Sequence, residues 1–163
     1  MTVANNNTDI LAARVSSNGT AVSVSLGHIF ARTGALTLNT QSGYTLSDVS
    51  WKIVGKSTIN GTAGIYNMTT GSWTSASTKL SDQTTITSSS DMYLIPGDYT
   101  IYVTYTLTKG DYSQSFTKHG DVTLEKGKKN AITGTAIGGA ASEIVLTCTV
   151  TAWGDANQSL TLS

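Results

Sequence analysis

The sequence predicts an all-β chain, an antiparallel β-sandwich with at most short helical turns. Three observations carry this. Threonine and serine are abundant while proline occurs once in 163 residues. Small polar and apolar residues alternate with period two through most of the chain, the signature of half-buried strands. Turn residues cut that alternation into about eight to ten runs, spaced about 8–12 residues apart, as in sandwiches. β-branched Thr loses rotamer freedom in a helix and suits a pleated, half-buried surface.

Taken in order, residues 1–19 read as an extended, polar N-terminal segment, and residues 20–163 as one β-sandwich domain. "AVSVSL" (21–26) and "ALTLN" (35–39) are strands. "GYTLSDVSWKIVGK" holds a strand over about 48–55 that places Val49, Trp51, Ile53 and Gly55 on one face. Residues 57–91 are the most irregular; there "NG" and "TGS" are turn signals, and "GIYN" and "SWTS" pair as a short hairpin. "YTIYVTYTLT" (99–108) sets Ile101, Val103, Tyr105 and Leu107 on one face, with Tyr99 ahead of them. "KGD" (109–111) turns the chain into the returning "YSQSFTK". "EKGKKN" (125–130) is a further turn, and "SEIVLTCTVTAW" (142–153) is the longest strand pattern. The closing "QSLTLS" alternates again. It pairs within its own domain or is donated as a strand to a neighbour.

Charge narrows the function. Lys plus Arg and Asp plus Glu number 10 each, so the net charge is zero, and charged residues make up 12 % of the chain. An ordinary domain carries about 25 %. No basic patch is available for nucleic acid or for an anionic membrane. No run approaches the ~20 apolar residues of a membrane span, and no signal peptide is visible in "MTVANNNTDI". The single cysteine, Cys148, forms no internal disulfide and reads as a small core residue.

Chemistry is sparse. The two histidines are His28 and His119. His119 sits in "KHGD" and reads as a solvated turn residue. No H-x-x-x-H, C-x-x-C, calcium loop, P-loop or G-x-S-x-G pattern occurs. No catalytic residue, metal or cofactor is expected, and the chain reads as a non-enzyme. Trp73, with Tyr66 and Tyr112, is a candidate sugar-stacking surface. The competing reading makes Trp73 a loop residue tucked onto the sandwich. Trp51 and Trp153 read as core anchors.

One stretch breaks the alternation. In "GHIFARTGAL" (27–36), His28, Ile29, Phe30, Ala31 and Arg32 follow one another. The expectation is a structural device between two strands, a short helical or bulged crossover that plugs one end of the sandwich. Ile29, Phe30 and Ala31 bury, His28 is a hydrogen-bonded core or rim residue, and Arg32 lies outward.

Several motifs taken together resemble a known family. "TDILAA" (8–13), "VSVSLGHIFARTGALTL" (22–38), "GYTLSDVSWKIVG" (43–55), "MYLIPGDYTIYVTYTL" (92–107), "VTLEKGKKNAIT" (122–133) and "TVTAWGD" (149–155) follow in an order similar to the C-terminal domain of fimbrillin-like proteins. Those are the major and minor fimbrillins and the fimbrillin-associated anchor proteins. The resemblance implies a transthyretin-like, Greek-key sandwich used as a fimbrial subunit, tip or anchor of the cell surface, associated with the outer membrane. It implies partners that are other fimbrillin-like subunits, joined by strand addition after a protease removes an N-terminal strand. Arg14 is the candidate processing site. Family members usually carry a lipoprotein signal and a further N-terminal domain, so the chain reads as an excised domain or a stand-alone relative. Two alternatives stand beside this: a module binding host or bacterial surface glycans, and a phage capsid or tail decoration protein of the virion.

Overall fold

The computed structural model describes residues 2–3, 8–16, 22–80, 83–87, 91–136, 144–152 and 159–162. Their strands are β1 (Thr2–Val3), β2 (Leu11–Ala12), β3 (Val22–Ser25), β4 (Gly27–His28), β5 (Ala31–Thr40), β6 (Thr45–Gly55), β7 (Gly61–Asn67), β8 (Ser72–Lys79), β9 (Thr84–Ile86), β10 (Tyr93–Leu94), β11 (Gly97–Lys109), β12 (Tyr112–Leu124), β13 (Lys128–Ala136), β14 (Ile144–Ala152) and β15 (Ser159–Leu162). No helix occurs among the described residues.

Two four-stranded sheets form the sandwich, in the orders β10-β5-β13-β14 and β12-β11-β6-β9. Every pairing is antiparallel except β5 with β13, which is parallel. That parallel pair departs from the purely antiparallel expectation. A local pattern of alternation does not encode it, because the pairing joins segments some ninety residues apart. A third sheet, β1-β7-β8, and two ribbons, β2-β4 and β15-β3, complete the fold. The closing "SLTL" thus pairs with β3 of its own chain.

The main core lies between the two four-stranded sheets. β11 supplies Tyr99, Ile101, Val103, Tyr105 and Leu107, all fully buried, against Trp51 and Ile53 of β6 and Ile132 and Ala136 of β13. Strict alternation puts these five β11 side chains on one face, and each fully buried apolar side chain contributes about 1.5–3 kcal/mol. Cys148 packs half-buried against this core, and burial raises its thiol pKa.

β6 corrects the face assigned from sequence. Ser47 pairs with Thr106 and Ser50 with Thr104, so Asp48 and Val49 together oppose Tyr105. This is a β-bulge. Asp48 takes a φ of 54°, and its extra residue turns Val49 outward, 42 % exposed, while Trp51 and Ile53 stay inside. Asp tolerates the left-handed region better than most residues. A second correction concerns His119, which lies within the uninterrupted β12, opposite Tyr102, rather than in a turn. Its side chain is exposed and its ring centroid lies 5.3 Å from that of Tyr102.

Tyr99 gives a test of the main core. Its buried hydroxyl donates a 2.6 Å hydrogen bond to the Ile95 carbonyl. Burial pushes its phenol well above the ordinary tyrosine range, against smaller opposing effects from Asn60 and Gly61. The folded pKa exceeds the unfolded one, so this contribution is intact below about pH 10 and falls as pH rises further, where the unfolded chain ionises first. Denaturant midpoints are expected to drop above pH 10 in the wild type and to drop less in Tyr99→Phe.

Candidate functional site

The distinctive stretch 27–36 builds a second apolar cluster, separate from the main core. Ile29, Phe30, Tyr66, Ala76 and Ile95 are buried together, with Ile10, Ala12, Trp73 and Tyr93 packed around them. Gly27 and His28 form β4, the chain bends at Phe30, and Ala31 opens β5. A short helical or bulged crossover was expected here; no helix forms. The bulge lies further on, where Gly34 and Ala35 together oppose Ala131 between the pairs Thr33–Asn130 and Leu36–Ile132. Both Ile29 and Phe30 bury because alternation stops at the bend, and Tyr66 of β7 and Ala76 of β8 pack with them in one cluster.

β7 and β8 form the hairpin expected from "GIYN" and "SWTS", with Tyr66 opposite Trp73. Trp73 therefore sits in a strand, not in a loop. Its ring lies 4.9 Å from Phe30 and 5.2 Å from Tyr66 between centroids, and its indole N–H donates to the Ile29 carbonyl at 3.1 Å. Lys126 Nζ donates to the Tyr66 hydroxyl at 2.7 Å and to the Gly71 carbonyl at 3.2 Å, which ties the β12–β13 turn to the hairpin. Tyr112 is the more open aromatic, 39 % exposed at the β11–β12 turn. Trp51 is buried in the main core. Trp153 lies outside the described residues.

A strap from the N-terminal segment covers the second cluster. β1 pairs with β7, Thr2 opposite Ile65 and Val3 opposite Gly64. β2 pairs with β4, Leu11 opposite His28 and Ala12 opposite Gly27. The Ile29 N–H donates to the Ile10 carbonyl at 3.1 Å. His28 Nδ1 lies 2.6 Å from the Asp9 carboxylate, both groups partly buried. At the far end Arg14 donates to the Thr69 carbonyl at 2.6 Å. Arg14, Val15 and Ser16 are exposed and outside any strand. Half-buried Ile10 is held by about 1 kcal/mol of apolar burial, and two-residue ladders add little.

Arg32 is held by an ion pair with Asp91, whose hydrogen bond raises the guanidinium pKa further. Its half-buried side chain is thus anchored beside β10 instead of pointing freely into solvent. Sequence reasoning missed Asp9, Thr69 and Asp91. Their partners lie between 19 and 59 positions away, and no local pattern marks them.

Elsewhere, an open cleft of about 540 Å³ lies between β5, β6 and β9, beside Leu36, Leu46, Val49, Trp51 and Ile86. Its remaining lining is leucine, threonine and serine, so it holds no acid or base of its own. Among the described residues no group of three His, Cys, Asp or Glu is placed to hold a metal ion. Among the described residues no helix is long and apolar enough to cross a membrane.

These features define an all-β sandwich whose end cluster is capped by a short N-terminal strand. The sequence model of the fimbrillin-like family matches residues 2–153. The chain belongs to the fimbrillin-like family. Curated proteins give no match. Among solved structures, it is similar to a protein from Bacteroides eggerthii whose role in cell adhesion is itself a proposal, with 16 % identity and a TM-score of 0.37. That alignment covers 78 % of this chain and 57 % of the other, so the chain spans little more than half of that structure.

Proposed function

We propose that this chain is a non-catalytic structural subunit of a bacterial surface fimbria, joining other fimbrillin-like subunits by strand addition. Family membership supports a structural, surface-exposed role. One observation carries the finer reading: the second apolar cluster is covered by a strap whose strand pairings are two-residue ladders, with a His28–Asp9 side-chain contact beside them. Cutting after Arg14 would leave the strap attached by non-covalent contacts: these, the Ile29–Ile10 and Arg14–Thr69 hydrogen bonds, and the packing of Ile10 and Ala12. Its departure would uncover the β7 edge at Gly64 and Ile65 and vacate the place of Ile10. Unpaired strand groups next to an apolar vacancy accept a foreign strand.

Limited tryptic digestion tests this. Cleavage at Arg14 is expected to convert monomers into filaments or strand-exchanged oligomers in electron micrographs, while Arg14→Ala stays monomeric under the same digestion. Clean cleavage with loss of residues 1–14 and no association would overturn the reading.

A further inference from the structure

The strap concerns one sheet edge; β12 is a different one. It ends its sheet, with no described strand hydrogen-bonded to its outer side. It is also the longest edge, 13 residues, and all 13 of its pairs with β11 run without a register shift. Of the other edges, β1, β9 and β10 have two or three residues, the pairing of β8 is broken by irregularities, and β14, nine residues and regular, is shorter than β12 and packs close to it. A long, regular, unpaired strand is a template for a second chain. The strand that fits it best is another β12, because two copies related by a two-fold axis pair antiparallel through the same residues.

Full-length pairing of that kind sets Tyr112 opposite Leu124 of the partner and Lys118 opposite the partner's Lys118. Lys118 is the central residue of the strand. It is also on the inner face, directly opposite fully buried Val103 and between Phe116 and Gly120 in the inward series that ends in Val122 and Leu124. Its half-buried ammonium lies 5.9 Å from the Phe116 ring centroid. An apolar or hydroxyl residue would suit an inward position flanked by Phe116; the lysine there forms no ion pair with any other described residue. Like charges directly opposite each other across a strand pair repel, and inward-pointing charge is one way that edge strands are kept apart.

We infer that the β12 edge is a latent homodimer surface of this chain, held shut by Lys118. The consequence is directional: subunits are prevented from pairing side by side through β12, which leaves association to other edges. This inference does not depend on the strap.

The test uses the full chain carrying Arg14→Ala, so that strap removal plays no part. Sedimentation and amide hydrogen exchange are compared for Lys118, K118T and K118E. K118T is expected to self-associate at least about tenfold more tightly, which is a change of about 1.4 kcal/mol, with new protection of amides in 113–123. K118E alone is expected to stay apart, because it meets its own charge. An equimolar mixture of K118E with the Lys118 chain is expected to pair more tightly than either alone. If K118T and the mixture associate no more tightly than the Lys118 chain, or do so without protection along β12, the inference is wrong.

Discussion

Phe30→Ala is expected to destabilise the chain by about 3–5 kcal/mol, the range for removing a buried aromatic ring. The residue has no exposed surface, and its ring packs against Trp73 in the second cluster. The cavity left behind could not collapse easily. β5 is fixed by its parallel pairing with β13, and the hairpin on the other side is tied down by Lys126 and by the indole hydrogen bond of Trp73. His28→Ala, by comparison, is expected to cost about 1 kcal/mol, since it removes one hydrogen bond at a partly solvated rim. Urea denaturation of both variants checks the order. Phe30→Ala should also speed tryptic cutting after Arg14, because Ile10 and Ala12 rest on the same cluster. Equal small losses in both variants would show that the cluster contributes little to the fold.

Gly64→Val is expected to cost about 3 kcal/mol, the upper part of the range for overfilling a packed site. A Cβ at Gly64 would run into the carbonyl oxygen of Ser75 on β8 and the backbone of Ala76. Backbone atoms cannot swing aside as a flexible side chain can. Glycine in a strand interior often marks such a close approach. Here it lies where the β7–β8 register shifts, between Ala63 and Gly64. The same residue faces Val3 of β1 across the other edge of β7. The variant is therefore expected to loosen the strap as well as the hairpin, seen as faster amide exchange in residues 61–79 and in the N-terminal segment. Wild-type exchange in both regions would contradict the geometry.

How much of this was legible in the sequence depended on the range of each cause. β11 and its turn were readable because Tyr99 to Leu107 alternate strictly and Lys109-Gly110-Asp111 closes them, with Gly110 at a φ of 58°. The burial of Ile29 and Phe30 was readable from the loss of alternation around them. The exposure of Val49 was not, because a single extra residue flips a strand face and neither Gly nor Pro marks this bulge. His119 looked like a turn residue because Gly120 and Asp121 follow it, yet thirteen consecutive pairs with β11 override that local preference. The two-residue strands β1, β2 and β10 are too short to show a period at all. The strap was visible only as an extended, polar segment over residues 1–19, with Arg14 as a candidate processing site. The contacts that make it a strap, Asp9 with His28 and Arg14 with Thr69, join distant positions.

The central claim is that the N-terminal segment up to Arg14, through β1, β2 and Ile10, is a replaceable cover over an apolar acceptor. A synthetic peptide of residues 1–14, added to chain cut at Arg14 and freed of its own strap, tests it most directly. The expected result is stoichiometric rebinding that restores slow exchange at the Ile29 amide and blocks filament formation. A truncated chain that ignores the peptide, with the Ile29 amide as protected as in the intact protein, would contradict it.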